Sequence, residues 1–150
     1  MILSVLLALH LLGAVVWVGG IAFMLLVVRP SLLVLEPPQR LALHQRIFRK
    51  FFLYVWHAMP IVLLSGYAML FGVLGGFAGV NWAVHLMHLL GLIMAGIFLV
   101  IFFGPWKAMR AAMAAGDSAD AAAAVARIRA LAFGNLAIGA VTIAVGAWIG

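Results

Sequence analysis

The sequence predicts an all-α integral membrane protein, a four-helix bundle built from two parallel helical-hairpin pseudo-repeats. Three observations carry this. Of 150 residues, 69% are hydrophobic and 8% charged, and the mean hydropathy of +1.31 lies beyond the range of soluble domains. The apolar residues gather in four runs, each near the ~20 residues that cross a bilayer core. No run shows the inside–outside alternation of a membrane barrel, and a helix satisfies its own backbone polar groups in lipid.

The spans fall at about 2–28, 51–76, 81–106 and 131–149, and a single transmembrane domain, 1–150, holds them all. The first run opens Met-Ile-Leu-Ser with no basic segment and no small-x-small cleavage site, so it reads as a retained span rather than a signal peptide. The connection that follows carries Arg29, Arg40, Arg46, Arg49 and Lys50, and Pro30, Pro37 and Pro38 are expected to stop any continuous helix there. In the second span Pro60 frees the carbonyl of Trp56 and is expected to kink the helix. The next connection, "GGFAGVN" before Trp82, has no charge. The third carries Lys107, Arg110, Arg127 and Arg129, and its "GDS" at Gly116–Ser118 offers a helix stop followed by an N-cap. The Ala-rich run beyond it has high helix propensity, so helices extend past the membrane on that side. All nine basic residues therefore fall on one side, which the positive-inside rule assigns to the cytoplasm, with both termini outside.

Nine Lys and Arg against three acids give a net charge of +6. Because the cations flank apolar spans, they read as topological anchors in a lipid bilayer and not as a nucleic-acid surface. The absence of cysteine excludes disulfides, thiolate metal sites, iron–sulfur clusters and covalent c-type haem. Glu36, Asp117 and Asp120, the three acids, all lie in connections, so neither an intramembrane carboxylate relay nor a hydrolase site is supported.

The tetrapeptide "HLLG" occurs at His10–Gly13 and again at His88–Gly91, each copy early in a span that runs toward a basic connection. Two hairpins related by an axis along the membrane normal explain the recurrence. At 1.5 Å per residue both histidines lie about 7–8 Å to the outer side of the midplane. His10, Gly13, Trp17 and Gly20 share one helical face, as do His85, His88 and Gly91. Each stripe sets an imidazole beside residues with little or no side chain, the arrangement a planar haem between two helices requires. The leading expectation is thus a b-type haem protein with His10 and His88 as axial ligands. His85 is a further or alternative ligand, and Gly13, Trp17, Gly20 and Gly91 line the macrocycle. Iron held by two imidazoles has no open position, so its chemistry is one-electron oxidoreduction with a quinol, a small oxidant or another redox protein.

Other readings use the same residues. His and Met suit copper, and "HLMH" at His85–His88 invites a copper-binding or copper-transport site, although Met87 points away from both histidines. The glycines can equally serve close helix packing. "GVLGG" and "GAWIG" supply G-x-x-x-G spacing for helix association or a homo-oligomer, consistent with a non-catalytic structural subunit. His57, beside Pro60, is a third candidate metal ligand, weighed against a simple bond to neighbouring backbone or to Tyr67.

"HLLGAVVWVGGIAFMLLVVRPSL", with "RIFRKFFLYVW" and "SGYAML" in the second span, resembles the CopD-like group of small four-helix bacterial membrane proteins. It is more distantly similar to HemJ-type haem-binding membrane proteins. The likeness covers the first half well, the third span through "HLMHLLG", and the last span by hydropathy alone. It implies a multi-pass protein of the bacterial inner membrane. The CopD-like resemblance implies copper handling; the HemJ-type one implies haem-dependent oxidation of protoporphyrinogen, and in that pattern the first-span residues are His10, Trp17 and Arg29. A haem near His57 would instead place its propionates by Arg29, Arg46 and Arg49.

Overall fold

A computed structural model of the chain describes residues 1–148. Four helices, α1 (Ile2–Val34), α2 (Pro37–Gly72), α3 (Trp82–Ala115) and α4 (Ser118–Gly146), are each long and apolar enough to cross a membrane. The shortest has 29 residues, about 43 Å of rise at 1.5 Å per residue, against a hydrocarbon core of about 30 Å. All four therefore project beyond the core. No strand occurs among the described residues. The last residue expected in the fourth span and the end of "GAWIG" lie outside the described residues.

In the first connection the helix breaks at Leu35 and Glu36, directly ahead of Pro37 and Pro38 as expected, whereas Pro30 leaves α1 uninterrupted. Pro37 and Pro38 occupy the opening turn of α2, where no N–H is needed and the fixed φ suits a helix. Arg40 Nη2 donates to Leu33 O (3.3 Å) and Leu35 O (2.8 Å), satisfying carbonyls that the end of α1 leaves bare. At the third connection the expectation holds. Gly116 is left-handed (φ 73°), and Asp117 Oδ1 accepts from Asp120 N at 2.9 Å, capping α4.

Contact is most extensive between α1 and α2 and between α3 and α4, which makes two hairpins of the four helices. Gly13 brings α1 close to α2, since a Cβ there would stand 2.7 Å from Val62 Cγ2 and 3.3 Å from Ala58 O. Aromatic rings fasten the two hairpins together toward the basic end. Phe52 and Trp56 of α2 meet Phe98 and Phe102 of α3, and Trp106 meets Phe48 and Phe52 edge-on at 6.2 and 5.4 Å. At the opposite end Asn81 Oδ1 caps α3, accepting from Ala83 N (3.0 Å) and Val84 N (3.4 Å), while its Nδ2 donates to Trp148 O at 3.0 Å. One side chain thus closes the start of α3 onto the end of α4.

Candidate functional site

Two places in this bundle gather chemistry-bearing side chains. The first is the end away from the basic residues. His10 Nδ1 donates to Val62 O at 2.9 Å and lies 3.2 Å from Ser65 Oγ, and its ring sits over the bare Cα of Gly66. A carbonyl only accepts, so Nδ1 carries the proton and Nε2 keeps its lone pair. His88 approaches the next residue of the same helix: its ring packs edge-on against Tyr67 (5.2 Å) and against Phe77 (5.0 Å). His85 stacks on the same phenyl ring, 5.6 Å from Phe77 at 21°. The two "HLLG" histidines therefore meet α2 at Gly66 and Tyr67, the common depth their spacing implied. Successive residues of a helix point about 100° apart, so the imidazoles reach α2 from different sides.

Several expected site residues stand elsewhere. The space beside Gly13 is filled by Val62, and that beside Gly20 by Phe51, whose Cε2 would be 2.6 Å from an added Cβ. These glycines serve helix packing and leave no slot for a flat group. Gly91 faces open space. His57 is exposed on the outside of the bundle and bonds Leu53 O of its own helix at 2.7 Å, so it is turned away from every other candidate ligand. This is the bond to neighbouring backbone that the sequence offers as the alternative to a ligand role. Met87 lies near Gly146, with Sδ 3.7 Å from where a Cβ would be, on the α4 side and not with the histidines.

The second place is a partly open cavity of about 350 Å³ toward the basic end, lined by residues of all four helices. Trp17 and Arg29, both singled out in the sequence, line it. So do Arg40, His44, Arg129 and Asn135, which sequence reasoning missed as site residues. Asn135 was the one to find: it is a primary amide in an apolar span, where a polar side chain is costly without a purpose. Trp17 lies in a π-helical turn, Val15–Gly19, an irregularity frequent at functional sites.

The fold is that of a polytopic helical membrane protein with imidazoles at one end and guanidinium groups at the other. The family described as CopD, copper resistance protein D, matches residues 45–149, and the chain belongs to that family. The match takes in α4, which the resemblance reached by hydropathy alone, and stops short of α1. No curated protein and no solved structure matches the chain. Membership makes this a copper-resistance-type membrane protein. Its donors do not form a closed centre, because no group of three or more His, Cys, Asp or Glu that could hold a metal ion occurs among the described residues.

Proposed function

We propose that the protein handles copper ions as cargo at the imidazole end of the bundle, through His85 and His88, with His10 of α1, held against α2 by its bond to Val62 O, as a further donor at that end. The observation that carries this is the pair itself. Two imidazoles one helical turn apart both pack on Phe77, at the mouth of the bundle, in a chain of the CopD family. Imidazole nitrogen suits copper ions, and an aromatic wall fixes the rings without consuming their nitrogens. Two or three donors hold an ion loosely enough to release it, as cargo requires; a resident centre would need the fuller set that is absent here. With the nine basic residues cytoplasmic, this end faces the outside of a bacterial inner membrane. Bis-histidine haem finds less support, since on α1 the glycine face that was to receive the ring is packed with Val62 and Phe51, although Gly91 on α3 meets open space.

The test is copper tolerance and cell-associated copper in a host expressing the protein, compared with His85→Ala/His88→Ala at equal membrane abundance. The double variant should lose the difference in copper content that the wild type produces. Equal copper content in the two would overturn the assignment.

A further inference from the structure

The cavity at the basic end lies beyond the copper reading and is independent of it. Among the described residues two buried side-chain polar atoms lack any hydrogen-bond partner, Arg40 Nε and Asn135 Oδ1, and both residues line this one cavity. Asn135 is 1% exposed. A buried orphan is costly, and the two residues that carry them line the same space, with polar capacity at both levels.

The lining is graded. Arg29, Arg40 and Arg129 stand toward the basic end with His44, no acidic residue lines the cavity, and the walls toward Trp17 are aliphatic and aromatic. Arg129 precedes Asn135 by six residues on α4, about 9 Å of rise, and Arg29 follows Trp17 on α1 by about 18 Å. The cavity thus offers, in order, three guanidinium groups, one amide and an apolar shaft. Its volume of about 350 Å³ equals roughly a dozen waters at ~30 Å³ each, enough for one hydrocarbon chain and not for a whole two-chain lipid.

We infer that this cavity binds one anionic glycerophospholipid from the adjacent leaflet. Its phosphate sits among Arg29, Arg40 and Arg129, its ester linkage meets Asn135, and one acyl chain fills the shaft toward Trp17 while the other stays in the bilayer. Guanidinium forks match phosphate oxygens, and Arg40 Nε–H gains an acceptor. With no partner to fix it, the Asn135 amide can present its N–H₂ end to an ester carbonyl. A free long-chain carboxylate would satisfy the arginines but leave methylenes at Asn135.

The test uses the full chain in neutral detergent, titrated with lipids carrying a brominated acyl chain, which quenches nearby tryptophan fluorescence. Brominated phosphatidylglycerol should quench saturably, at least tenfold more tightly than brominated phosphatidylcholine or a brominated fatty acid, and Trp17→Phe should remove most of the quench. Arg40→Gln/Arg129→Gln should weaken binding at least tenfold, whereas Arg46→Gln/Arg49→Gln, exposed outside the cavity, should not. Equal affinity for phosphatidylcholine on the wild-type protein would overturn the proposal whether or not the double variant folds. Equal affinity for the fatty acid would overturn the phospholipid assignment, and a quench that survives Trp17→Phe would place the lipid elsewhere.

Discussion

Gly13 and Gly19 belong to the same helix and are alike in sequence terms, yet the structure assigns them opposite responses to one methyl group. At Gly13 an added Cβ would stand 2.7 Å from Val62 Cγ2 and 3.3 Å from Ala58 O. Val62 is β-branched and stiff, and the second neighbour is backbone, so α1 and α2 must part. Such overpacking costs about 1–3 kcal/mol. Alanine recovers about 1 kcal/mol of helix propensity, which leaves Gly13→Ala destabilised by up to about 2 kcal/mol. That is a factor of up to roughly 30 in the folded-to-unfolded ratio. Parting the helices also stretches the 2.9 Å bond from His10 to Val62 O, which adds to the loss. At Gly19 nothing lies within 4 Å of the added atom, so Gly19→Ala should be neutral or stabilising by up to about 1 kcal/mol. Reversible unfolding in mixed micelles, followed by circular dichroism, measures both. Equal midpoints for the two variants would refute the claim that Gly13 is the close-approach point of the first hairpin.

Trp106→Ala removes a side chain 3% exposed that meets Phe48, Phe52 and Arg110, and should cost about 3–5 kcal/mol in the same unfolding assay. Asn81→Ala deletes the α3 cap and the bond to Trp148 O, and is expected to cost about 1–2 kcal/mol, with faster amide exchange at Ala83 and Val84 as its local signature. His57→Leu should leave both stability and copper content unchanged, because this imidazole faces outward and bonds only its own helix; a loss of copper would return His57 to the site.

The all-α class and the four long apolar helices were legible because hydropathy is a local property. So was the shared depth of His10 and His88, which follows from counting along straight helices. What faces a residue is not local. Gly13 and Gly20 looked like room for a planar group because the sequence shows the missing side chain but not Val62 or Phe51 filling its place. For His57 the sequence leaves a ligand role and a backbone bond open, and which way its helix turns it, outward with a bond to Leu53 O, is not local either. In the first connection the break was legible but its brevity was not, because Pro37 and Pro38 are welcome in the first turn of the next helix. The cavity could not be read from any single span, since its arginines come from three helices, its amide shares α4 with Arg129, and α3 adds only apolar wall.

The most direct measurement is equilibrium copper binding by the purified protein in detergent, with its absorption spectrum recorded before and after reduction. Copper retained by the wild type and lost in His85→Ala/His88→Ala, with no Soret band in either, is the result predicted. A protein that purifies with a Soret band abolished by His10→Ala, or one whose copper binding ignores the loss of both His85 and His88, would contradict it.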